Sequence, residues 1–232
     1  MVPTRRAAVA LAIAFGVAAA AFLIWPILDL RVAALFYRPD TGFWLGALPG
    51  VEPFRNFIWD LTILTFVVAI VGAGLALAGR PLLGVPLRDW VYVALLYFLG
   101  PILVTNILLK AHWGRARPAD VTDFGGPHLF TPPWQPADQC SANCSFVSGE
   151  VSATVVMGIA MLVIAPALAR HLPRIAMRFW RAAAYALPLV IAAQRVMTGR
   201  HFLSDAVFAA LFMLALALAL LPVRSRAPTP RR

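Results

Sequence analysis

The sequence predicts an all-α membrane protein, a polytopic bundle of six transmembrane helices. Its 232 residues are 61% hydrophobic and only 13% charged, with a mean hydropathy of +0.80. A soluble domain of this size cannot bury so much apolar surface, so a bilayer must be part of its solvent. Several apolar stretches also reach the roughly 20 residues that a spanning helix requires. We expect one integral-membrane domain over residues 1–232.

The six predicted spans are joined by short connections, except for one long loop. They cover about 7–28, 56–79, 90–109, 151–169, 182–199 and 204–222. The first follows Arg5 and Arg6 and continues through Trp25, beyond the roughly 7–15 apolar residues of a cleavable signal, so we expect it to be retained. Residues 110–148 form the long loop. Their Pro, Gly and aromatic content predicts an ordered cover over a site.

The arginines predict the orientation of the bundle. With the N-terminus inside, the segments on that side contain one carboxylate, Asp89. Their arginines are Arg5, Arg6, Arg80, Arg88, Arg170, Arg174, Arg178, Arg181, Arg224, Arg226, Arg231 and Arg232. Such an excess of positive charge marks the cytoplasmic side. Both termini are then cytoplasmic, and the long loop lies at the outer face with Glu150, Arg195 and His201.

The net charge of +10 does not indicate a nucleic-acid partner. Much of this charge is arginine that flanks the predicted spans, without the basic stripe and interleaved aromatic residues of a nucleic-acid module. The expected partners are therefore the bilayer and its lipids. The sequence carries no indication of the oligomeric state.

The two cysteines, Cys140 and Cys144, both lie in the long outer loop. In an oxidising compartment they are expected to form a small disulfide that stiffens the approach to the segment from Ser145 to Glu150. The alternative is a pair of free thiols. A zinc site is not expected, because two cysteines without matched histidines do not supply four ligands.

Five residues at the outer ends of the predicted helices suggest phosphate chemistry. The only lysine, Lys110, is followed seven residues later by Arg117, and Arg195 precedes His201 and Asp205. Two guanidinium groups and an ammonium can neutralise the oxygens of a phosphate, and phosphoryl transfer depends mainly on such positioning and charge. On a helix, His201 and Asp205 would share a face. The carboxylate would then hold one imidazole nitrogen and leave the other free to attack.

A second phosphate-binding element is predicted where the fourth span begins. Ser148 and Gly149 precede Glu150 at the expected start of this helix. The amide N–H groups of a helix N-terminus attract anions, and Ser148 can add a hydroxyl donor. The same residues also form an ordinary helix cap, with Ser148 as the N-cap and Glu150 in the first turn. Both roles are compatible.

These three segments resemble the signature of the type 2 phosphatidic acid phosphatase family, relatives of the vanadium haloperoxidases. The family signature reads Lys-x6-Arg-Pro, then Pro-Ser-Gly-His, then Ser-Arg-x5-His-x3-Asp. The first part matches at Lys110, Arg117 and Pro118, the second at Ser148 and Gly149, and the third at Arg195, His201 and Asp205. Three positions depart from it, namely Val147 for Pro, Glu150 for His and Gln194 for Ser.

The resemblance implies dephosphorylation of lipid phosphates without a metal ion or other cofactor. It implies that Lys110, Arg117 and Arg195 bind the phosphate, helped by Ser148 and the backbone of Gly149. It also implies that His201 is the nucleophile, which forms a phosphohistidine, and that Asp205 orients it. The resemblance to the membrane members of the family also implies a multi-pass protein of a bacterial inner membrane, with the active site facing the periplasm.

The departure at Glu150 leaves three alternatives open, because the histidine at this position protonates the leaving oxygen in the family. A carboxylic acid can do the same if an apolar surround keeps it neutral. Among arginines it would instead stay ionised and bind a substrate amine or hydroxyl, with His112 or His128 as the donor. In the third alternative there is no donor, and the protein is a slow or inactive phosphatase.

The substrate class is a lipid phosphate or diphosphate. The long outer loop favours a bulky head group such as lipid A, whose phosphatases belong to this family. Undecaprenyl diphosphate and glycerophospholipid phosphates are the alternatives. A hypothesis of another class is a non-catalytic protein that binds lipid phosphates, although a binder does not require the pair of His201 and Asp205. A transporter is disfavoured, because the ionisable residues gather at one face and not at the midplane.

Overall fold

The computed structural model describes residues 2–225, and 72% of the chain is helical, as an all-α fold requires. The C-terminal arginines Arg226, Arg231 and Arg232, which entered the charge argument, lie outside the described residues. The helices are α1 (Val2–Ile24), α2 (Leu28–Ala34), α3 (Val51–Leu77), α4 (Leu87–Tyr97), α5 (Lys110–His112), α6 (Gly149–Leu168), α7 (Arg174–Met197), α8 (Leu203–Ala219) and α9 (Leu221–Ser225). Two short strands, β1 (Tyr37–Arg38) and β2 (Gly42–Phe43), form an antiparallel hairpin that the sequence analysis did not predict.

Five helical segments in the described residues are long and apolar enough to cross a membrane: Arg5–Ile24, Val51–Leu77, Leu87–His112, Gly149–Leu168 and Arg174–Met197. The sixth predicted span corresponds to α8, which is apolar but has only 17 residues. The largest difference in boundaries is in α7, which begins at Arg174 and not near residue 182. Its first turns carry exposed arginines. Because hydropathy is low where a helix has such a polar face, the predicted span was limited to the more apolar part of the helix.

The third span changes its helical geometry halfway. After α4 the chain continues as a π-helix, Phe98–Leu109, and then as α5. Pro101 lies inside this stretch and has no N–H to donate, which disturbs regular α-helical bonding. The side-chain amide of Asn106 donates to the carbonyl oxygen of Pro101 at 2.8 Å. The π-helical stretch leads directly into Lys110.

Helix α6 is the central helix of the bundle, since thirteen of its twenty residues are buried. It packs closely against α7 at Gly158, where an added Cβ would collide with the carbonyl oxygen of Ala184. It also contacts α3, α4 and α8, while α1 packs on α8. The N-terminus of α6, which carries Ser148 to Glu150, is therefore surrounded by the outer ends of several helices.

The long loop is folded onto these helix ends. The indole N–H of Trp113 donates to the carbonyl oxygen of Pro133 at 2.9 Å, and the amide of Ala137 donates back to the carbonyl oxygen of Trp113 at 2.9 Å. Gly114, with φ of +68°, lies so close to Ala137 that a Cβ would collide with it. Phe130 packs edge-on against Phe202 at 5.2 Å between ring centroids. The loop is thus packed against the ends of these helices.

Candidate active site

The candidate nucleophile, His201, lies in the turn between α7 and α8 and is fully buried. Its Nδ1 is 2.8 Å from the carbonyl oxygen of Ser145. Because a carbonyl oxygen only accepts, Nδ1 carries the proton of this hydrogen bond. The lone pair of the neutral ring is then on Nε2, which has no hydrogen-bond partner among the described residues. The backbone contact therefore selects the tautomer that a nucleophile requires.

Asp205 is connected to His201 through Ser145 and not by a direct hydrogen bond. Its Oδ2 is 3.8 Å from His201 Nδ1, but it accepts from Ser145 Oγ at 2.6 Å and from the amide of Phe202 at 2.8 Å. The sequence analysis placed both side chains on one helical face. Instead, α8 begins only at Leu203, after His201. The helix begins there because the Asp205 carboxylate in its first turn accepts from the amide of Phe202, the residue just before the helix.

The same carboxylate belongs to a fully buried ionic network centred on Arg115. One terminal nitrogen of Arg115 donates to Asp205 Oδ1 at 2.6 Å, and the other donates to Asp29 Oδ2 at 2.8 Å. Its Nε donates to the carbonyl oxygen of Thr131 in the long loop at 2.8 Å, and the guanidinium lies 4.4 Å from the ring centroid of Phe202. Arg115 thus joins α2, the long loop and α8 behind the nucleophile.

Asp29 completes this network from the outer helix α2. Its Oδ1 accepts from the amide of Ser204 at 2.9 Å, and its Oδ2 accepts from the Ser204 hydroxyl at 2.5 Å. Burial raises the pKa of Asp29; the charge of Arg115 opposes this effect and the charge of Asp205 adds to it. Two carboxylates therefore share one guanidinium in a site closed to solvent.

Two of the predicted phosphate-binding cations, Lys110 and Arg117, are held by consecutive carbonyl groups of the loop. Lys110 is buried, and its Nζ donates to the carbonyl oxygen of Cys144 at 2.9 Å. Arg117 is half-buried and donates to the carbonyl oxygen of Asn143 at 2.9 Å. The amide of Ala119, directly after the first motif, donates to the carbonyl oxygen of Gly199 within the third motif at 3.0 Å. The first and third motifs therefore meet in space.

Ser148 and Gly149 take the positions that the sequence indicates. Ser148 is the N-cap of α6, and its hydroxyl oxygen accepts from the amide of Val151 at 3.4 Å. The side chain of Lys110 passes close to Gly149, where an added Cβ would lie 3.9 Å from its Cδ and Cε. The first amides of α6 and the lysine therefore lie side by side, as an anion site requires.

Glu150 is surrounded by cations, and not by the apolar residues that would keep a carboxylic acid neutral. Its Oε1 is 2.5 Å from a terminal nitrogen of Arg55 and 3.7 Å from Nε of Arg195. Its Oε2 is 3.4 Å from Nε2 of His201. This is the ionised arrangement among the three alternatives. The alternative donors, His112 and His128, are exposed.

The sequence analysis missed four charged residues of this site, namely Asp29, Glu52, Arg55 and Arg115. Glu52 and Arg55 lie three residues apart near the start of α3, and Glu52 Oε1 is 3.3 Å from Arg195. Their spacing of three residues puts both on one helical face, and this feature of the sequence could have indicated a shared charged site. Arg115 lies inside the spacer of the first motif, and Asp29 is a lone carboxylate at the end of an apolar run, which is a functional signal by default.

Cys140 and Cys144 are joined by a disulfide in the loop segment that holds Lys110 and Arg117. The carbonyl oxygens of Asn143 and Cys144 accept from these two cations. The crosslink therefore restrains the backbone that holds two of the five predicted phosphate-binding residues. Within residues 2–225, no group of three or more His, Cys, Asp or Glu side chains is arranged to hold a metal ion.

Comparisons with known proteins agree with this geometry. Residues 90–228 match the PAP2 superfamily. The chain is 31% identical over 196 residues to the lipid A 4'-phosphatase of Francisella tularensis subsp. novicida (strain U112), which covers 83% of this chain and 84% of that protein. It is also 31% identical over 217 residues to the lipid A 4'-phosphatase of Rhizobium etli, which covers 87% of this chain and 81% of that protein.

A solved structure supports the fold. The crystal structure of a transmembrane PAP2 type phosphatidylglycerolphosphate phosphatase from Bacillus subtilis superposes with a TM-score of 0.60. The two proteins are 19% identical, and the match covers 96% of this chain and 98% of that chain. The family match spans more than half of the sequence and includes all three motifs, whose residues meet at one end of the bundle. The chain is therefore a membrane phosphatase of the PAP2 superfamily.

Proposed function

We propose that the protein removes a phosphate group from lipid A through a phosphohistidine intermediate, without a metal ion. The observation that carries this proposal is Nε2 of buried His201, which has no hydrogen-bond partner among the described residues while a backbone carbonyl binds Nδ1. Nε2 lies 3.4 Å from Glu150, whose carboxylate contacts Arg55 and Arg195. The choice of lipid A rests on the two lipid A 4'-phosphatases that align with more than four fifths of this chain.

The proposed topology has six spans, with α8 as the last, and both termini in the cytoplasm of a bacterium. The arginine distribution supports this orientation, since the connection between α6 and α7 and the helix start beyond it carry Arg170, Arg174 and Arg178. The active site then lies at the outer face of the inner membrane. A lipid head group in the outer leaflet can reach it without crossing the bilayer.

In the proposed first step, the lone pair of His201 Nε2 attacks phosphorus, and the bond from phosphorus to the ester oxygen breaks. Arg195, Lys110 and Arg117 neutralise the charge on the transferred phosphoryl group, and the first amides of α6 bind a further oxygen. Water then attacks the phosphohistidine. This second step breaks the bond from nitrogen to phosphorus and releases inorganic phosphate.

Glu150 is the proposed carrier of the proton in both steps. In the proposed empty site, the His201 ring carries a proton on both nitrogens, and Oε2 of the ionised Glu150 lies 3.4 Å from Nε2. Glu150 takes the Nε2 proton as the phosphate enters, which leaves the neutral ring with its lone pair on Nε2. The protonated Glu150 then gives this proton to the leaving oxygen. In the second step the carboxylate takes up a proton from the attacking water. An ionised resting state and a role as general acid are therefore compatible.

Phosphate release by detergent-purified protein tests the proposal, measured in the presence of EDTA. The substrates are lipid A, undecaprenyl diphosphate and phosphatidate. We expect release from lipid A, with a fall of at least about a thousandfold in His201→Ala, since removal of a nucleophile costs several orders of magnitude. After an alkaline quench in detergent, a phosphate label stable to alkali and labile to acid is expected on the wild-type protein.

The matched control is His128→Ala, because His128 is exposed on the outer loop and makes no side-chain contact with the proposed site. Release from another lipid at a higher rate than from lipid A would assign a different substrate to the same chemistry. Release that persists in His201→Ala, or that stops with EDTA, would contradict the mechanism. A Glu150→Gln variant that keeps the wild-type rate would remove Glu150 from the proton route.

A further inference from the structure

Helix α3 contributes two charged side chains to the site from outside the three motifs. Arg55 contacts Glu150 Oε1 at 2.5 Å, and Glu52 contacts Arg195 at 3.3 Å. Both residues lie outside residues 90–228, the stretch that matches the superfamily. The site of this protein is therefore completed by a helix that the family signature does not describe.

Arg55 is held in place, but its guanidinium is not fully used. One terminal nitrogen donates to the side chain of Asn56 at 2.9 Å, and the guanidinium lies 5.5 Å from the ring centroid of Trp59. The other terminal nitrogen contacts Glu150, while Nε is buried without a hydrogen-bond partner. An arginine with an open, buried donor is arranged to donate to a further anionic oxygen.

Three buried nitrogen atoms around Glu150 are open to a further ligand. They are Nε of Arg55, Nε of Arg195 and Nε2 of His201, each without a hydrogen-bond partner among the described residues. Buried polar atoms are seldom left unpaired in a folded protein, and three such nitrogens around one carboxylate can be satisfied by the oxygens of an anionic ligand. One carboxylate touches both arginines and the nucleophilic nitrogen. A phosphate must contact those same groups, because its phosphorus has to lie beside Nε2 when attack begins.

We propose that Arg55 is a phosphate-binding residue and that the Glu150 carboxylate occupies the phosphate position while the site is unliganded. This inference rests on the proposed function and deepens it. The incoming phosphate replaces the carboxylate beside Arg55 and Arg195, and Glu150 leaves with the proton from Nε2. A neutral side chain leaves two arginines more readily than a carboxylate does. The cations remain paired with an anion in both states.

The affinity for inorganic phosphate tests this exchange, measured by titration calorimetry on the purified protein without any lipid substrate. We expect Arg55→Gln to weaken phosphate binding at least about tenfold, since a charge-assisted hydrogen bond is lost. Arg55→Lys keeps the charge but not the planar fork, and an intermediate affinity is expected. Glu150→Gln removes the competing carboxylate and is expected to tighten binding several-fold.

The double variant Arg55→Gln/Glu150→Gln separates this role from a structural one. If Arg55 only holds Glu150, then its loss has no further effect once Glu150 is neutral. If Arg55 binds phosphate, then the loss of affinity persists in the Glu150→Gln background. The matched control is Arg38→Gln, because Arg38 is exposed on the same outer side and lies over Trp44, away from the site.

Two outcomes would overturn the inference. One is an unchanged phosphate affinity in Arg55→Gln while Arg195→Gln loses it. The other is weaker phosphate binding in Glu150→Gln, since a displaced competitor cannot favour its ligand. Because binding is measured without turnover, the expected pattern supports the inference even in a protein that hydrolyses none of the lipids tested. A failure of the inference can thus be distinguished from a failure of the proposed function.

Discussion

Ser145 links His201, the proposed nucleophile, to the carboxylate of Asp205. Its carbonyl oxygen accepts from His201 Nδ1 at 2.8 Å, and its hydroxyl donates to Asp205 at 2.6 Å. The backbone oxygen holds the ring, while Asp205 holds the residue that carries this oxygen. Asp205 is therefore a positioning residue that acts through Ser145. Its charge, 3.8 Å from Nδ1, also stabilises the imidazolium.

We predict that Ser145→Ala lowers kcat by about tenfold and leaves KM nearly unchanged, because about 1–1.5 kcal/mol of orienting hydrogen bond is lost. Steady-state hydrolysis of the preferred lipid measures both constants. The control is Ser152→Ala, which removes the hydrogen bond between Ser152 and Thr105 at 3.0 Å in the same helix bundle. That variant is expected to lower the unfolding temperature without changing kcat. A rise in KM alone for Ser145→Ala would refute the positioning role.

The sequence indicated the residues that we propose for the chemistry, but not the charged residues that contact them. His201 and Glu150 lie within 3.4 Å of each other although 51 positions separate them in the chain. Arg55 and Arg115 were missed because an isolated arginine at a membrane interface is usually a solvated anchor. Only their partners distinguish them. These partners lie 95 and 90 residues away, and no local spacing indicates such pairs.

At the scale of elements, the buried network of Arg115, Asp29 and Asp205 fastens α2 and the long loop to α8. Removal of one member leaves a buried charge without its partner. This destabilises the protein far more than the loss of a surface ion pair does. The members are not equivalent, however. Arg115 is the only cation between two carboxylates, whereas burial favours the neutral form of Asp29 by raising its pKa.

We predict that Arg115→Met destabilises the protein by about 3–5 kcal/mol, because two buried carboxylates lose their partner. Asp29→Asn is expected to cost about 1 kcal/mol, since an amide oxygen still accepts from the Ser204 amide and the neutral form suits the burial. Thermal unfolding in detergent compares the two variants. An Asp29→Asn variant as unstable as Arg115→Met would show that the ionised Asp29 is required.

The existence and order of the predicted helices followed from apolar length alone, whereas their irregular parts did not. The early start of α7 and the π-helical stretch after α4 depend on polar faces and on Pro101. The helix α2 lies in the connection between the first two predicted spans. Its role in the site appears through Asp29, whose partners come from the other end of the chain.

At the scale of the whole molecule, two groups of arginines in different environments lie at opposite ends of the bundle. The proposed cytoplasmic end carries arginines that are mostly exposed, such as Arg174 and Arg178. The other end carries buried arginines that are paired with carboxylates, such as Arg115 and Arg195. Solvated arginines determine orientation, and buried ones bind anions. The orientation and the active site therefore use the same residue type in two environments.

We predict that a membrane-impermeant maleimide labels Leu129→Cys in intact spheroplasts, but labels Leu172→Cys only after lysis. Leu129 is 62% exposed in the long loop, and Leu172 is 39% exposed in the connection between α6 and α7. The native cysteines do not react, because they are joined in a disulfide. The wild-type protein is thus the unlabelled control. The reverse labelling pattern would invert the proposed topology and place the site in the cytoplasm.

The ion pair of Arg55 and Glu150 also limits how such a site can change during evolution. A single replacement of Glu150 by histidine would put a basic ring beside two arginines, and a single loss of Arg55 would leave the carboxylate with one fewer cation. Neither single step preserves the charge balance. We therefore expect relatives with histidine at this position to lack an arginine at the position of Arg55. The two lineages would then be connected through an ancestor that was neutral at one of these positions.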